Sequence, residues 1–238
     1  MIGKNAMMLA AGLGTRMRPL TLERPKPLIE VAGRSLLDRG VDALIRGGVS
    51  GLVVNKHYLP NQIEQWAQRR TDMPVHVQDE TEVLLDTGGG VAKALPLLGP
   101  SPFFVLNSDS FWVDGQTPAL ERLRSNWDET RMDCLLLLAS KQRSFGFDGA
   151  GDFDMAADGT LQRRSGDTAE LIYAGAYLVH PRLFAEAPEG AFSMNLLWSK
   201  AIEQGRLCGL VHDHWWLHVG TPDAIAGSEK QLAQLGVT

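Results

Sequence analysis

The chain has 238 residues, 44% of them hydrophobic, and its 28 acidic against 23 basic side chains leave a formal net charge of −5. That length supports a large core and is expected to form a single domain over 1–238, while the acidic balance excludes the broad basic face that extended nucleic-acid binding requires. No apolar run approaches bilayer-spanning length, and Met1-Ile2-Gly3-Lys4-Asn5 leads into a core strand rather than a signal h-region, so a cytoplasmic protein without a membrane partner is expected.

The first strand is predicted at Ala6–Leu9, and it runs into Ala11-Gly12-Leu13-Gly14-Thr15-Arg16. Glycines at 12 and 14 permit turns with φ > 0 that bring N–H groups close to anionic oxygens. Arg16 and Lys26 add fixed positive charge, so the loop reads as a phosphate cradle for a nucleotide. No Gly-Lys-Ser/Thr follows, which excludes a Walker loop, and the dinucleotide fingerprint fails at Met17, where a third glycine is needed. For a lone Gly-x-Gly, a structural turn is the plain alternative.

Amphipathic spacing predicts helices at Leu36–Arg46, Pro60–Arg70 and Gly90–Leu97, alternating with strands at Leu52–Asn55, Val75–Gln78 and Phe103–Leu106. Such βαβ repetition implies an α/β, Rossmann-like mixed, mostly parallel sheet with helices on both faces and ligands at the carboxyl ends of the strands. The second strand ends Val53-Val54-Asn55-Lys56, without the acidic residue that a dinucleotide-dependent oxidoreductase places on a ribose. Between Val75–Gln78 and the next helix, Gly88-Gly89-Gly90 leave room for a ring to approach the backbone, and helix N-terminal amides are anion donors. Glu80 is a candidate acceptor for a base N–H; a solvated acidic turn is the alternative.

Past Asn107-Ser108-Asp109-Ser110 a further strand is predicted at Asp133–Ala139. Gly and Asp pairs through 144–170 read as a small β excursion covering the cleft, with Leu171–Val179 as a return strand. A helix at Phe192–Gln204, strands at Leu207–Val211 and Trp216–Val219, and a terminal helix opened by Pro222 with Thr221 as N-cap complete the order. Cys134 and Cys208 sit in apolar runs and are expected to be buried, reduced thiols. His212 and His214 alternate in an aromatic stretch and read as structural, and most of Trp198, Trp215 and Trp216 as packing.

Gly12-Leu13-Gly14-Thr15-Arg16, with Pro19, Leu20, Thr21 and Lys26-Pro27, resembles the signature of the sugar-1-phosphate nucleotidyltransferases, an NTP-transferase family that makes nucleotide-activated sugars. The likeness extends to Val219-Gly220-Thr221-Pro222. It implies the nucleotide-diphospho-sugar transferase type of fold, with an NTP and a sugar 1-phosphate as substrates. By the same resemblance Ala11, Gly12, Gly14, Thr15, Arg16, Lys26, Glu80 and Gly88 bind the nucleotide, Asn107, Gly89, Asp152, Gly175 and Asn195 face the sugar, and Arg16, Lys26 and Asp109 are catalytic.

That chemistry is an in-line attack of a phosphate oxygen on the α-phosphorus, which asks for positioning and charge neutralisation rather than a protein base. It implies Mg²⁺, with Mn²⁺ as an alternative, held by carboxylate and phosphate oxygens. Asp109, just beyond a buried strand, resembles the family's metal-binding Asp, with Ser108 where glycine is usual; an Asx turn or helix cap is the structural alternative. The family's second carboxylate lies in Trp-x-Asp-x-Gly-Thr, and this chain departs from it: Trp216-Leu217-His218-Val219-Gly220-Thr221 puts His218 at the Asp position. A neutral imidazole suits Mn²⁺ or Zn²⁺ better than Mg²⁺. His218 stands open between metal ligand, phosphate contact and hydrogen-bonded core histidine. Leu85–Gly99 is most similar to members that take UTP, the favoured nucleotide; a guanylyl-transferring member and a weakly catalytic nucleotide-sugar-binding relative are the alternatives. A monomer or small homo-oligomer is expected.

Overall fold

The computed structural model describes residues 1–237. In chain order the elements are β1 (Asn5–Leu9), the hairpin β2 (Glu30–Val31) and β3 (Arg34–Ser35), α1 (Leu36–Arg46), β4 (Gly51–Lys56), α2 (Pro60–Gln68), β5 (Val75–Asp79), α3 (Asp86–Leu98), β6 (Phe103–Asn107), β7 (Ser110–Trp112) and α4 (Ala119–Asn126). The second half adds β8 (Cys134–Ser140), β9 (Ser144–Phe145), β10 (Phe153–Met155), β11 (Leu161–Arg163), β12 (Leu171–Val179), α5 (Met194–Glu203), β13 (Leu207–Val211), β14 (Trp216–His218) and α6 (Asp223–Gln234).

The long apolar strands pair in the order β5-β4-β1-β6-β12-β8-β13. Six of these share one direction; β12 runs against β6 and β8, so the sheet is mixed but mostly parallel. Along β1 the side chains alternate between faces, as the two-residue period requires: Ala6 and Met8 join one core cluster and Met7 the other. Each of the fully buried methionines contributes on the order of 1.5–3 kcal/mol.

Helices cover both faces because their apolar residues recur at helical spacing. Leu37, Val41 and Leu44 of α1 pack on one side with Ile63 and Trp66 of α2. Val91, Ala94 and Leu98 of α3, with Met194, Leu197, Trp198 and Ala201 of α5, fill the other. Ser35 caps α1, its hydroxyl accepting from the Asp38 amide at 3.0 Å. Cys134 and Cys208 are buried free thiols, and no helix among the described residues is long and apolar enough to cross a membrane.

Three expectations need correction. Helix α3 begins at Asp86 rather than Gly90, so the three glycines lie inside its opening turns. The excursion over 144–170 is not one unit: β9 pairs in parallel with β14, while β10 and β11 extend the main sheet through Phe153 and Leu171, and none of the three strands lines the cleft. Pro222 takes the N-cap position of α6, leaving Thr221 outside it. Helix α4 was not anticipated; its three buried residues, Ala119, Leu120 and Leu123, make too short an apolar stripe to stand out from the sequence.

Candidate active site

The carboxyl ends of β1 and β6 open on a cavity of about 700 Å³. Gly14 adopts φ +61°, which only glycine takes without strain, and a Cβ there would come within 3.0 Å of Lys26 Cβ and Thr21 Cγ2. Thr21, 1% exposed, donates its hydroxyl to the Gly14 carbonyl at 2.8 Å, so the loop is braced against its own continuation. Gly12 has open space where a side chain would project. Ala11, Gly12, Gly14, Thr15, Arg16 and Lys26 all line the cavity, and Asn107 and Asp109 face them from the end of β6. The three candidate catalytic residues thus share one space.

Lys26 Nζ lies 3.3 Å from Asp109 Oδ2, with the lysine side chain 12% exposed and the aspartate 32%. Burial pushes the Lys26 ammonium below the ordinary lysine range; Asp109 opposes this by attraction and hydrogen bonding, and Arg16 adds like-charge repulsion. Two cations on one rim are costly without an anion between them, and a polyphosphate relieves that cost. Ser108 sends its hydroxyl to the Leu9 carbonyl at 2.6 Å, tying the ends of β6 and β1 together.

Asp109 is joined to the chain's last strand as well. Its carbonyl accepts from the Val219 amide at 2.9 Å, and β14 pairs antiparallel with β7 so that His218 sits opposite Ser110. His218 Nε2 consequently stands 3.9 Å from Asp109 Oδ2. No group of three or more His, Cys, Asp or Glu side chains forms among the described residues. A divalent ion here would have one carboxylate and one imidazole from the protein, and the donor set fits an ion shared with substrate phosphates.

Several candidates lie elsewhere. Glu80 is 2% exposed, its Oε1 accepting from Asn55 Nδ2 at 2.9 Å and Gln78 Nε2 at 2.8 Å, so it braces the loop and is not presented to a base. The Gly88 and Gly89 amides donate to the Phe192 carbonyl at 2.9 and 3.1 Å and are not available to an anion. A Cβ at Gly88 would fall 2.3 Å from the Phe192 ring, and one at Gly89 would fall 2.3 Å from the Gly190 carbonyl oxygen, so the space expected for a ring is filled by chain. Asp152 accepts from the Tyr173 amide at 2.8 Å, and Asn195 Oδ1 accepts from Arg163 at 2.9 Å; neither lines the cavity. Gly175, at φ +84°, lets Ser110 Oγ approach β12 beside Asn107, behind the cavity wall.

Asn55 was missed. It lines the cavity while accepting from the Ala10 amide at 2.6 Å and donating to Glu80, and so links the glycine loop after β1 to the 80s loop. The available signal was a polar residue closing the otherwise apolar run Leu52-Val53-Val54. Thr87 was missed too: it lines the cavity and its hydroxyl accepts from the Met194 amide at 2.9 Å. The tryptophans named from sequence pack: Trp198 lies edge-on to Tyr173 with centroids 4.9 Å apart, and Trp216 donates to the Ala174 carbonyl at 2.9 Å.

The profile of the nucleotidyl transferase family matches residues 5–234. N-acetylmuramate alpha-1-phosphate uridylyltransferase of Caulobacter vibrioides is 42% identical over 236 residues, covering 97% of this chain and 98% of the relative. The protein of the same name from Neisseria meningitidis serogroup B is 32% identical over 94% of this chain and 99% of its own. Among solved structures, a UDP-glucose pyrophosphorylase complexed with UDP-glucose superposes with a TM-score of 0.80 at 13% identity, over 99% of this chain and 100% of the other, a likeness of fold. Matched along nearly its whole described length, the chain belongs to the nucleotidyl transferase family.

Proposed function

We propose that the protein joins UTP to N-acetylmuramate 1-phosphate, giving UDP-N-acetylmuramate and pyrophosphate, as a single nucleotidyltransferase unit over 1–238. The observation that carries this reading is the 42% identity, end to end, with a relative bearing that activity in its name. The cavity geometry supports it. Arg16 and Lys26 stand where a triphosphate leaving the end of β1 would run, and Asp109 lies across from them.

In this mechanism an oxygen of the sugar phosphate attacks the α-phosphorus of UTP, the bond to the β-phosphate bridge oxygen breaks, and pyrophosphate leaves with the electron pair. No protein base is needed, since the attacking phosphate is already ionised near neutrality. Lys26 holds the phosphate nearest Asp109, Arg16 carries the outer phosphates, and the loop amides from Gly12 to Thr15 complete the cradle. A bound Mg²⁺ or Mn²⁺ ion would neutralise phosphate charge and orient the α-phosphate, with Asp109 as its carboxylate donor. The reaction returns a cell-wall amino sugar to the nucleotide-activated pool, a recycling step placed in the cytoplasm, and a monomer or small homo-oligomer suffices for it.

The deciding experiment pairs UTP, GTP, CTP and dTTP with a panel of sugar 1-phosphates under coupled pyrophosphate detection. Release with UTP and N-acetylmuramate 1-phosphate is expected. Preference for GTP with mannose or heptose 1-phosphate would overturn both substrate assignments, and silence with every pair would leave a nucleotide-sugar binder.

A further inference from the structure

A second cavity, of about 610 Å³, begins at Ser110, the residue after Asp109, and shares no lining residue with the first. One of its walls is the polar face of α1, where Arg39, Asp42, Ala43 and Arg46 follow the three- and four-residue spacing of a single helix face. The opposite wall is apolar, made by Phe111 and Trp112 of β7 with Val113 and Pro118. A polar helix face ordinarily meets water; this one is set across a cavity from aromatic side chains.

The charges lining the cavity do not cancel. Arg34 holds Asp42 in a fork, Nε to Oδ2 at 3.0 Å and Nη2 to Oδ1 at 2.6 Å. Asp114 accepts from Arg46 Nε at 3.1 Å, and from Trp112 Nε1 and the Ala119 amide at 2.9 Å each. Three guanidinium groups therefore stand against two carboxylates, and both carboxylates are engaged. Arg39 is the remainder. Its guanidinium lies 4.5 Å over the centre of the Phe111 ring, Nη2 donates to the Val31 carbonyl at 2.6 Å, and the buried Nε has no acceptor among the described residues. Burial pushes this group below the ordinary arginine range, Arg34 adds like-charge repulsion and Asp42 opposes both; an arginine stays cationic through such a change. The ring stack and the carbonyl fix the guanidinium in place, so an incoming anion finds its partner already oriented.

We propose that this cavity is a second ligand site and that it takes a small carboxylic acid with an apolar body, the carboxylate on Arg39 and the body against Phe111, Trp112 and Pro118. A planar carboxylate matches the guanidinium fork. One uncompensated positive charge also matches a monoanion, whereas a phosphate ester with a charge of about −2 would bring a surplus negative charge beside Asp42.

The test uses the full chain labelled with ¹⁵N and naphthalene-2-carboxylate as the probe, followed by two-dimensional NMR. Naphthalene-2-carboxamide and 2-naphthyl phosphate serve as the neutral and the more highly charged comparison. Saturable shifts of the Trp112 indole and of the Arg39 and Phe111 amides are expected with the carboxylate. The carboxamide is expected to bind about tenfold more weakly or worse, the scale of one charge-assisted hydrogen bond, and the phosphate more weakly than the carboxylate. Arg39→Gln is expected to weaken the carboxylate by a similar factor, to leave the carboxamide unchanged and to keep pyrophosphate release near wild type. No saturable shift, equal binding of carboxylate and carboxamide, a phosphate that binds as tightly as the carboxylate, or shifts centred on residues 12–16 would each overturn the proposal. The three probes on the wild-type chain decide it even if the Arg39 variant fails to fold.

Discussion

Lys26 and Asp109 form an ion pair whose members have different work. The lysine is desolvated and repelled by Arg16, with Asp109 opposing both, and under the proposed function a phosphate would be a second counter-charge for it. Lys26→Ala is expected to lower kcat by about 10²–10³-fold, the usual cost of removing one preorganised transition-state donor, while the thermal melting curve stays close to wild type. Asp109→Asn is expected to reduce turnover and flatten its dependence on divalent-ion concentration together, measured by ion titration of pyrophosphate release. A variant that kept both would return Asp109 to the role of an Asx turn. At this scale much was legible: glycine before Thr15-Arg16 and a carboxylate after a buried strand declare themselves by residue type. Glu80 did not. An acidic residue between Asp79 and Thr81-Glu82 looks solvent-facing until Asn55 and Gln78, from β4 and β5, are seen to enclose it.

Helix α3 illustrates what an element hides. A run of three glycines says that something comes close to the backbone, but a single sequence does not say whether ligand or chain fills the gap. Here residues 190–192 do, more than 100 positions later, through Phe192 and Gly190. Gly89→Ala would drive a methyl group against a backbone oxygen that has no rotamer by which to escape. The expected cost is about 1–3 kcal/mol, the range for overpacking a close contact, read as a lower urea midpoint with an unchanged slope. Apart from α4, the helices and long strands were predictable because periods of 3.6 and 2 are written into neighbouring residues. Short β9 draws its pairing from the distant β14, whereas β10 and β11 pair with each other and join β12, so the segment over 144–170, expected as one excursion, is divided between two sheets.

For the molecule as a whole, one buried ring sets a pH dependence. His212 is 3% exposed, and its Nε2 donates to the Val113 carbonyl at 3.0 Å. Desolvation lowers its pKa below the ordinary histidine value, outweighing that hydrogen bond and the nearby Asp213 and Asp114, with Arg122 adding to the lowering. The unfolded chain therefore takes up a proton first, near pH 6.5. The stability owed to neutral His212 is fully present above that pH and is lost as the pH falls through the folded value. Comparing urea midpoints at pH 7.5 and 5.5, wild type is expected to lose more than His212→Gln, which retains a donor for Val113. The overall architecture was open to sequence reasoning because βαβ repetition admits few arrangements. The pairing that sets the direction of the long opposed strand β12 was not, since it is made with β6 and β8.

The antiparallel seam between β7 and β14 also bears on biogenesis. Because it brings position 218 beside position 109, a nascent chain emerging from the ribosome can shape the loop after β1 early yet cannot set His218 beside Asp109 until β14 is released. A product stopping before Trp216 would leave the β7 edge unpaired and the Asp109 carbonyl without the Val219 amide it accepts from.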